Sequence, residues 1–151
     1  MRLSVRRYYH VMLVSFQTDS TDDNIPWKLI MDQLQKIFPF SDITTYRGML
    51  ILLIRKTSRG SRLSFDRETL FSLLQHYDGY AAIGNFSEFL TSLPPIYYQA
   101  RGVLRIGRSM DPDRRIYDYE DYSMYHLVEL ADMSMQTALY SRNIVYLCHP
   151  G

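Results

Sequence analysis

The sequence predicts a single α+β domain, and three observations carry that prediction. Tyr8–Gln17 and Met49–Lys56 are near-continuous runs of aliphatic, β-branched and aromatic residues, as buried strands require. Segments with apolar residues at helical spacing alternate with these runs. Arg47-Gly48 then joins two strand-like stretches across a gap of two residues, which demands an antiparallel hairpin. With 151 residues and 46% hydrophobic content, the chain can bury one core without disulfides and is too apolar for disorder.

Each element has its own warrant. Tyr8–Gln17 reads as a central strand and Thr18–Asn24 as a polar loop. Pro26 opens a helix in which Trp27, Ile30, Leu34, Ile37 and Phe38 share a face, and Pro39 closes it. Asp42–Tyr46 and Met49–Lys56 form the hairpin, with Gly48 free to take the positive φ of a tight turn. Thr57–Ser64 is a polar, basic loop, and its Arg59 and Arg62 read as a solvated turn in preference to a phosphate contact. Asp66 caps a helix with Leu70, Leu73, Leu74 and Tyr77 inward, stopped by Asp78-Gly79. Tyr80–Ile83 is a short strand, Gly84 a turn and Ser87 a cap.

Leu90–Met110 is the helix around which the chain is organised. Ile96, Ala100, Val103 and Gly107 form its inward stripe, widened by Tyr97 and Leu104, and small Ala100, Gly102 and Gly107 allow a neighbour to approach closely. Pro94 and Pro95 suit its first turn, and Asp111-Pro112 ends it. Gln99, Arg101, Arg105 and Arg108 face elsewhere; three arginines there are either a phosphate-binding face or, the favoured reading, a solvated one. Ile116–Tyr119 returns as a strand, and Met124–Ala131 is a helix with Leu127, Val128 and Ala131 on one side. The order βαββαβαβα begins with the split-βαβ arrangement, so the expected architecture is ferredoxin-like, enlarged by one helix and one strand.

Composition narrows the function. A net charge of +1 offers no broad footprint for nucleic acid, and the single Cys148 permits no internal disulfide, so a cytoplasmic location is expected. Arg2, Arg6 and Arg7 before YYHVMLVSF imitate a signal peptide, but the run is short, contains His10 and lacks a small-residue cleavage site. No segment reaches the ~20 apolar residues of a membrane helix. His10, His76, His126 and His149 are scattered without ligand spacing, and Cys148-His149 are adjacent residues that a strand would point apart. The tyrosines at Tyr97-Tyr98 and from Tyr117 to Tyr125 read as core and interface packing before a ligand-stacking surface.

Ala82-Ile83-Gly84, Leu93-Pro94, Tyr98-Gln99-Ala100, Val103-Leu104 with Gly107, Tyr117 with Tyr119, and Tyr125 with Leu127 together form a pattern. It resembles the GGDEF-like middle domain of the CdaR/PucR family of bacterial transcription regulators. The resemblance runs from Tyr8 to Pro150 and is strongest from Gly84 to Leu130; it departs at Asn85-Phe86, where Ile-Ser is commoner.

That resemblance implies a GGDEF-like domain over residues 1–131, with 132–151 starting a linker. It also implies two partners in the same polypeptide: an N-terminal sensor domain, and a C-terminal helix-turn-helix of which this sequence shows no sign. The chain is accordingly expected to be a fragment. Active GGDEF domains condense two GTP molecules and need carboxylates at a Gly-Gly-acid-acid-Phe hairpin to hold divalent metal. Here the corresponding residues are Thr45, Tyr46, Arg47 and Gly48, and the first strand ends in Ser15-Phe16-Gln17, so both metal positions lack an acid.

The expectation is therefore a regulatory and interaction domain without catalysis, metal or cofactor. Thr45–Gly48 remain as a degenerate cleft for a small ligand, the alternative reading. The tail from Asn143 to Leu147 is apolar on both parities and wants a partner, whether as a strand or as a helix. Leu127, Val128, Ala131, Ile144 and Leu147 are the candidate interface of a homodimer, set against a tail that folds back on its own domain.

Overall fold

The structure, a computed structural model, describes residues 7–17, 25–56 and 62–148, with side chains as far as residue 138. The Thr18–Asn24 loop and Arg59 lie outside the described residues. The fold is α+β, with a five-stranded mixed sheet and four helices among the described residues.

β1 (Tyr8–Phe16) occupies the middle of the sheet. β3 (Met49–Lys56) runs antiparallel on one side of it, and β4 (Gly79–Ser87) antiparallel on the other. β2 (Ser41–Tyr46) is the edge beyond β3, and β5 (Ile116–Asp118) pairs parallel with β4 at the far edge. β3 thus lies between β1 and β2, and the β-α-β unit is split as its sequence order predicts.

Alternation along the strands builds two cores. On one face Met12, Val14, Leu50, Leu52 and Ile54 meet Ile30 and Leu34 of α1 (Trp27–Ile37) and Leu70, Leu73 and Leu74 of α2 (Arg67–His76). On the other, Val11 and Leu13 meet Ile96 and Ala100 of α3 (Leu93–Met110). Asp66 caps α2 as expected, accepting from the Thr69 N–H at 3.2 Å and from the Thr69 hydroxyl at 2.6 Å. The hairpin turn also holds, with Arg47 at φ 51° and Gly48 at φ 75°, the left-handed pair of a two-residue turn matched to strand twist.

Four expectations need correction. Gly84 is no turn; β4 runs through it to Ser87. A Cβ at Gly84 would lie 2.7 Å from the Ile96 side chain and 3.0 Å from its carbonyl, so the glycine is there to let α3 approach the strand. Ser87 caps no helix: its hydroxyl bonds Phe89 backbone atoms, a 3-10 turn follows at Leu90–Ser92, and α3 begins at Leu93 with both prolines in its first turn. Tyr119 belongs to a helix instead of the last strand, and that helix does not stop at Ala131. α4 spans Tyr119–Cys148, thirty residues, so the boundary expected after residue 131 falls inside it. Apolar residues on every side of α4 erase the one-sided periodicity by which a helix is recognised. No described helix is long and apolar enough to cross a membrane.

Candidate functional site

The hairpin stands at the β2 edge, where it was expected to line a cleft. Thr45 is exposed opposite Leu50, and Tyr46 pairs with Met49. The Tyr46 ring meets Tyr97 of α3 edge-on at 6.0 Å, and Tyr97 meets Tyr98 at 5.4 Å. α3 covers β1 and β4 but leaves the second face of β3 partly open. The result is an open groove of about 360 Å³, with Tyr46, Tyr97 and Tyr98 on its walls and Val11, Ile51 and Leu53 on its floor. Of the four residues expected at a cleft, only Tyr46 lines it. Arg47 rests on the outside of the Tyr46 ring at 5.2 Å, while Thr45 and Gly48 shape the turn alone.

Beside the hairpin, at the end of β1, the chain builds an arginine–tyrosine stack. The Gln17 amide donates to Asp78 and accepts from Arg108. Arg108 and Arg115 lie over the Tyr80 ring at 4.6 and 5.0 Å, and Arg115 pairs with Asp78 at 3.0 Å. The nearest carboxylate is thus already committed to a guanidinium. Among the described residues no three His, Cys, Asp or Glu side chains gather closely enough to hold a metal ion.

The arginines of α3 do not converge on one anion. Arg101 stacks on Tyr97, Arg105 pairs with Glu129 of α4 at 2.6 Å, and Arg108 lies on Tyr80. Arg62, from the basic loop, pairs with Asp121 at 3.1 Å.

A polar cluster the sequence reading missed roots α4 in the sheet. Asp118, 5% exposed, takes two hydrogen bonds from Arg67, both at 3.0 Å. Arg114 pairs with Asp121, and the Tyr122 hydroxyl donates to Asp111 at 2.7 Å, so burial and that bond push the Tyr122 pKa up to about 12. The Tyr117 hydroxyl donates to the Asp111 carbonyl at 2.7 Å. These partners are 51 and 11 residues apart in the chain, and no local spacing announces them.

Of the tyrosines expected in the core, Tyr117 and Tyr122 are buried and Tyr125 is exposed. The histidines stay dispersed: His126 packs on Gly102, His76 stacks edge-on against Tyr77 at 4.6 Å, and His149 lies outside the described residues. His10 is wholly buried beside Phe86, and neither ring nitrogen has a well-formed hydrogen bond. Burial, with the Lys56 charge second, lowers its pKa to about 4.

The expected interface residues Leu127, Val128 and Ala131 are all exposed on α4, together with Met124, Leu130, Met133 and Met135. The backbone is helical through Ile144 and Leu147, whose side chains lie outside the described residues. Near its root α4 touches α3: His126 faces Gly102, and Glu129 reaches Arg105. Every residue from Leu130 to Ala138 is exposed. Comparison with known families, with curated proteins and with solved structures gives no match.

Proposed function

We propose that this chain is a non-catalytic regulatory and interaction domain, a degenerate GGDEF-like module of ferredoxin-like fold from a CdaR/PucR-type bacterial transcription regulator. In this reading it works in the cytoplasm and passes state or dimer geometry between a sensor domain and a DNA-binding domain of the same polypeptide, meeting DNA only through the latter. The observation that carries the reading is α4, tied at its start by Tyr122 to Asp111 at the end of α3 and to the Tyr117 ring of β5, and by Asp121 to Arg114 and Arg62, and then running on with apolar side chains exposed. A helix that exposes Leu127, Val128, Leu130, Met133 and Met135 together is suited to a partner surface. The hairpin supports the non-catalytic part, because Thr45–Gly48 carry no carboxylate and the first strand ends in Gln17, itself no acid.

The test is turnover. With GTP and either magnesium or manganese the protein is expected to make no cyclic dinucleotide above a no-protein control, and neither metal should raise its melting temperature. Product in that assay rejects the reading.

The groove favours a second reading, a small-ligand sensor. Its size lies near the bottom of the roughly 300–1,000 Å³ range of ligand sites, and three tyrosines offer stacking. A thermal-shift screen of nucleotides and sugar acids separates the readings: stabilisation that Tyr46→Ala abolishes favours the sensor, and a flat screen favours the interaction domain.

A further inference from the structure

Resting on the reading of this domain as an interaction module, we propose that the outward face of α4 pairs with α4 of a second copy of this chain, the two helices antiparallel. The argument starts from position around the helix. At ~100° per residue, Tyr122, His126 and Glu129, the residues that reach the domain, fall on one side of α4. Met124, Val128, Ala131, Met135 and Ala138 fall on the opposite side. Their spacing of four, three, four and three residues is the seam of a two-helix coil.

The seam is exposed: Val128 is 62% and Met135 65% accessible. Isolated helix this short is marginal in water, and every described side chain of α4 from Leu130 to Ala138 is exposed. A partner helix of the same length and seam covers this stretch, and a second copy supplies one. Such a pair covers on the order of 500 Å² on each copy, about 1,000 Å² in all and below the roughly 1,200–2,000 Å² of stable interfaces, so the dimer is weak and concentration-dependent.

The volumes choose the direction. In a parallel, in-register pair Ala131 faces Ala131 and Met135 faces Met135, leaving a void beside a crowded layer. In the antiparallel pair centred on residue 133, Ala131 faces Met135 and Ala138 faces Val128, so the larger side chain meets the smaller in the central layers.

Light scattering and circular dichroism on the full chain test the pairing. At tens of micromolar the expected mass is twice 17.9 kDa. Val128→Glu and Met135→Glu should each halve the mass and remove the helical signal of about 19 residues, leaving near-ultraviolet signal from the core tyrosines unchanged. Leu130→Glu, off the seam, should change neither mass nor helicity. A wild-type monomer with full helicity, seam variants that stay dimeric, or a Leu130→Glu protein as disrupted as Val128→Glu would overturn the proposal.

Direction is read by oxidation in a Cys148→Ser background. Val128→Cys mixed with Ala138→Cys should cross-link, while Met124→Cys alone should not, its two copies lying ~27 Å apart along the antiparallel pair. Cross-linking of Met124→Cys alone, with none in the mixture, overturns the antiparallel assignment. The two readings fail separately: a monomer without GTP turnover rejects the pairing only, whereas a dimer that makes cyclic dinucleotide rejects the regulatory function only.

Discussion

His10 has no hydrogen-bonding justification for its place in the core, and its cost depends on pH. Its folded pKa, about 4, lies below the ordinary 6.5 because burial disfavours the charged ring. Above 6.5 the ring is neutral in both folded and unfolded chains, and its full contribution to stability is present. As pH falls from 6.5 towards 4, the unfolded chain takes up a proton that the folded one refuses, and about 3 kcal/mol is lost. His10→Leu removes this dependence. Urea unfolding at pH 7 and pH 4 should show the wild type losing about 3 kcal/mol more than the variant between the two; equal losses would sink the account.

Asp118 shows the complementary rule. Arg67→Met strands a buried carboxylate; because Arg67 is itself partly exposed and water can substitute in part, the expected cost is about 2 kcal/mol. Adding Asp118→Leu should recover most of that, since removing both charges leaves nothing unpaired. Denaturant midpoints of the single and double variants measure it, and a double variant weaker than Arg67→Met contradicts it.

At the scale of elements, glycines in α3 set how closely its neighbours pack. A Cβ at Gly107 would enter the Tyr117 ring, and one at Gly102 would meet the His126 ring at 2.5 Å. The two sites differ in how easily the neighbour yields. Tyr117 is fully buried and tied to Asp111, whereas His126 is partly exposed on a helix that can shift. Gly107→Ala is therefore expected to destabilise by about 2–3 kcal/mol, and Gly102→Ala by less, despite the better helix propensity of alanine at both. Thermal unfolding ranks them, and a more stable Gly107→Ala protein would show that Tyr117 has room to move. Small residues at these positions announce a close neighbour in the sequence, but the rings opposite them, Tyr117 and His126, are set by the fold.

For the whole molecule, α4 divides into a root that belongs to the fold and a shaft that does not. Ending the chain after Glu129 keeps the ties made by Tyr122, His126 and Glu129 and removes, among the described side chains, exposed ones alone, so stability at low protein concentration should change by less than about 1 kcal/mol. If the shaft pairs two copies, the same truncation should abolish any rise of melting temperature with protein concentration. A large loss of stability in the truncated, dilute protein would mean that the tail folds back on its own domain.

The sequence by itself determined the element order, the hairpin with its left-handed Arg47-Gly48 turn, the Asp66 cap and the inward stripe of α3, because each is written in residues within a few positions of one another. It also showed that the hairpin lacks carboxylates, since that is a matter of residue type. Tertiary structure decided the rest. Gly84 reads locally as a turn, yet it lies in a strand because Ile96, twelve residues later, needs the space. Asp118 is one acid among many until the sheet sets it beside Arg67. Met124–Ala131 reads as a short helix with Leu127, Val128 and Ala131 on one side, until the root of α4 fixes which side faces the domain and which faces outward. Local propensity speaks through neighbours in the chain, whereas burial and pairing depend on neighbours in space, and those exist only after the sheet has brought distant segments together.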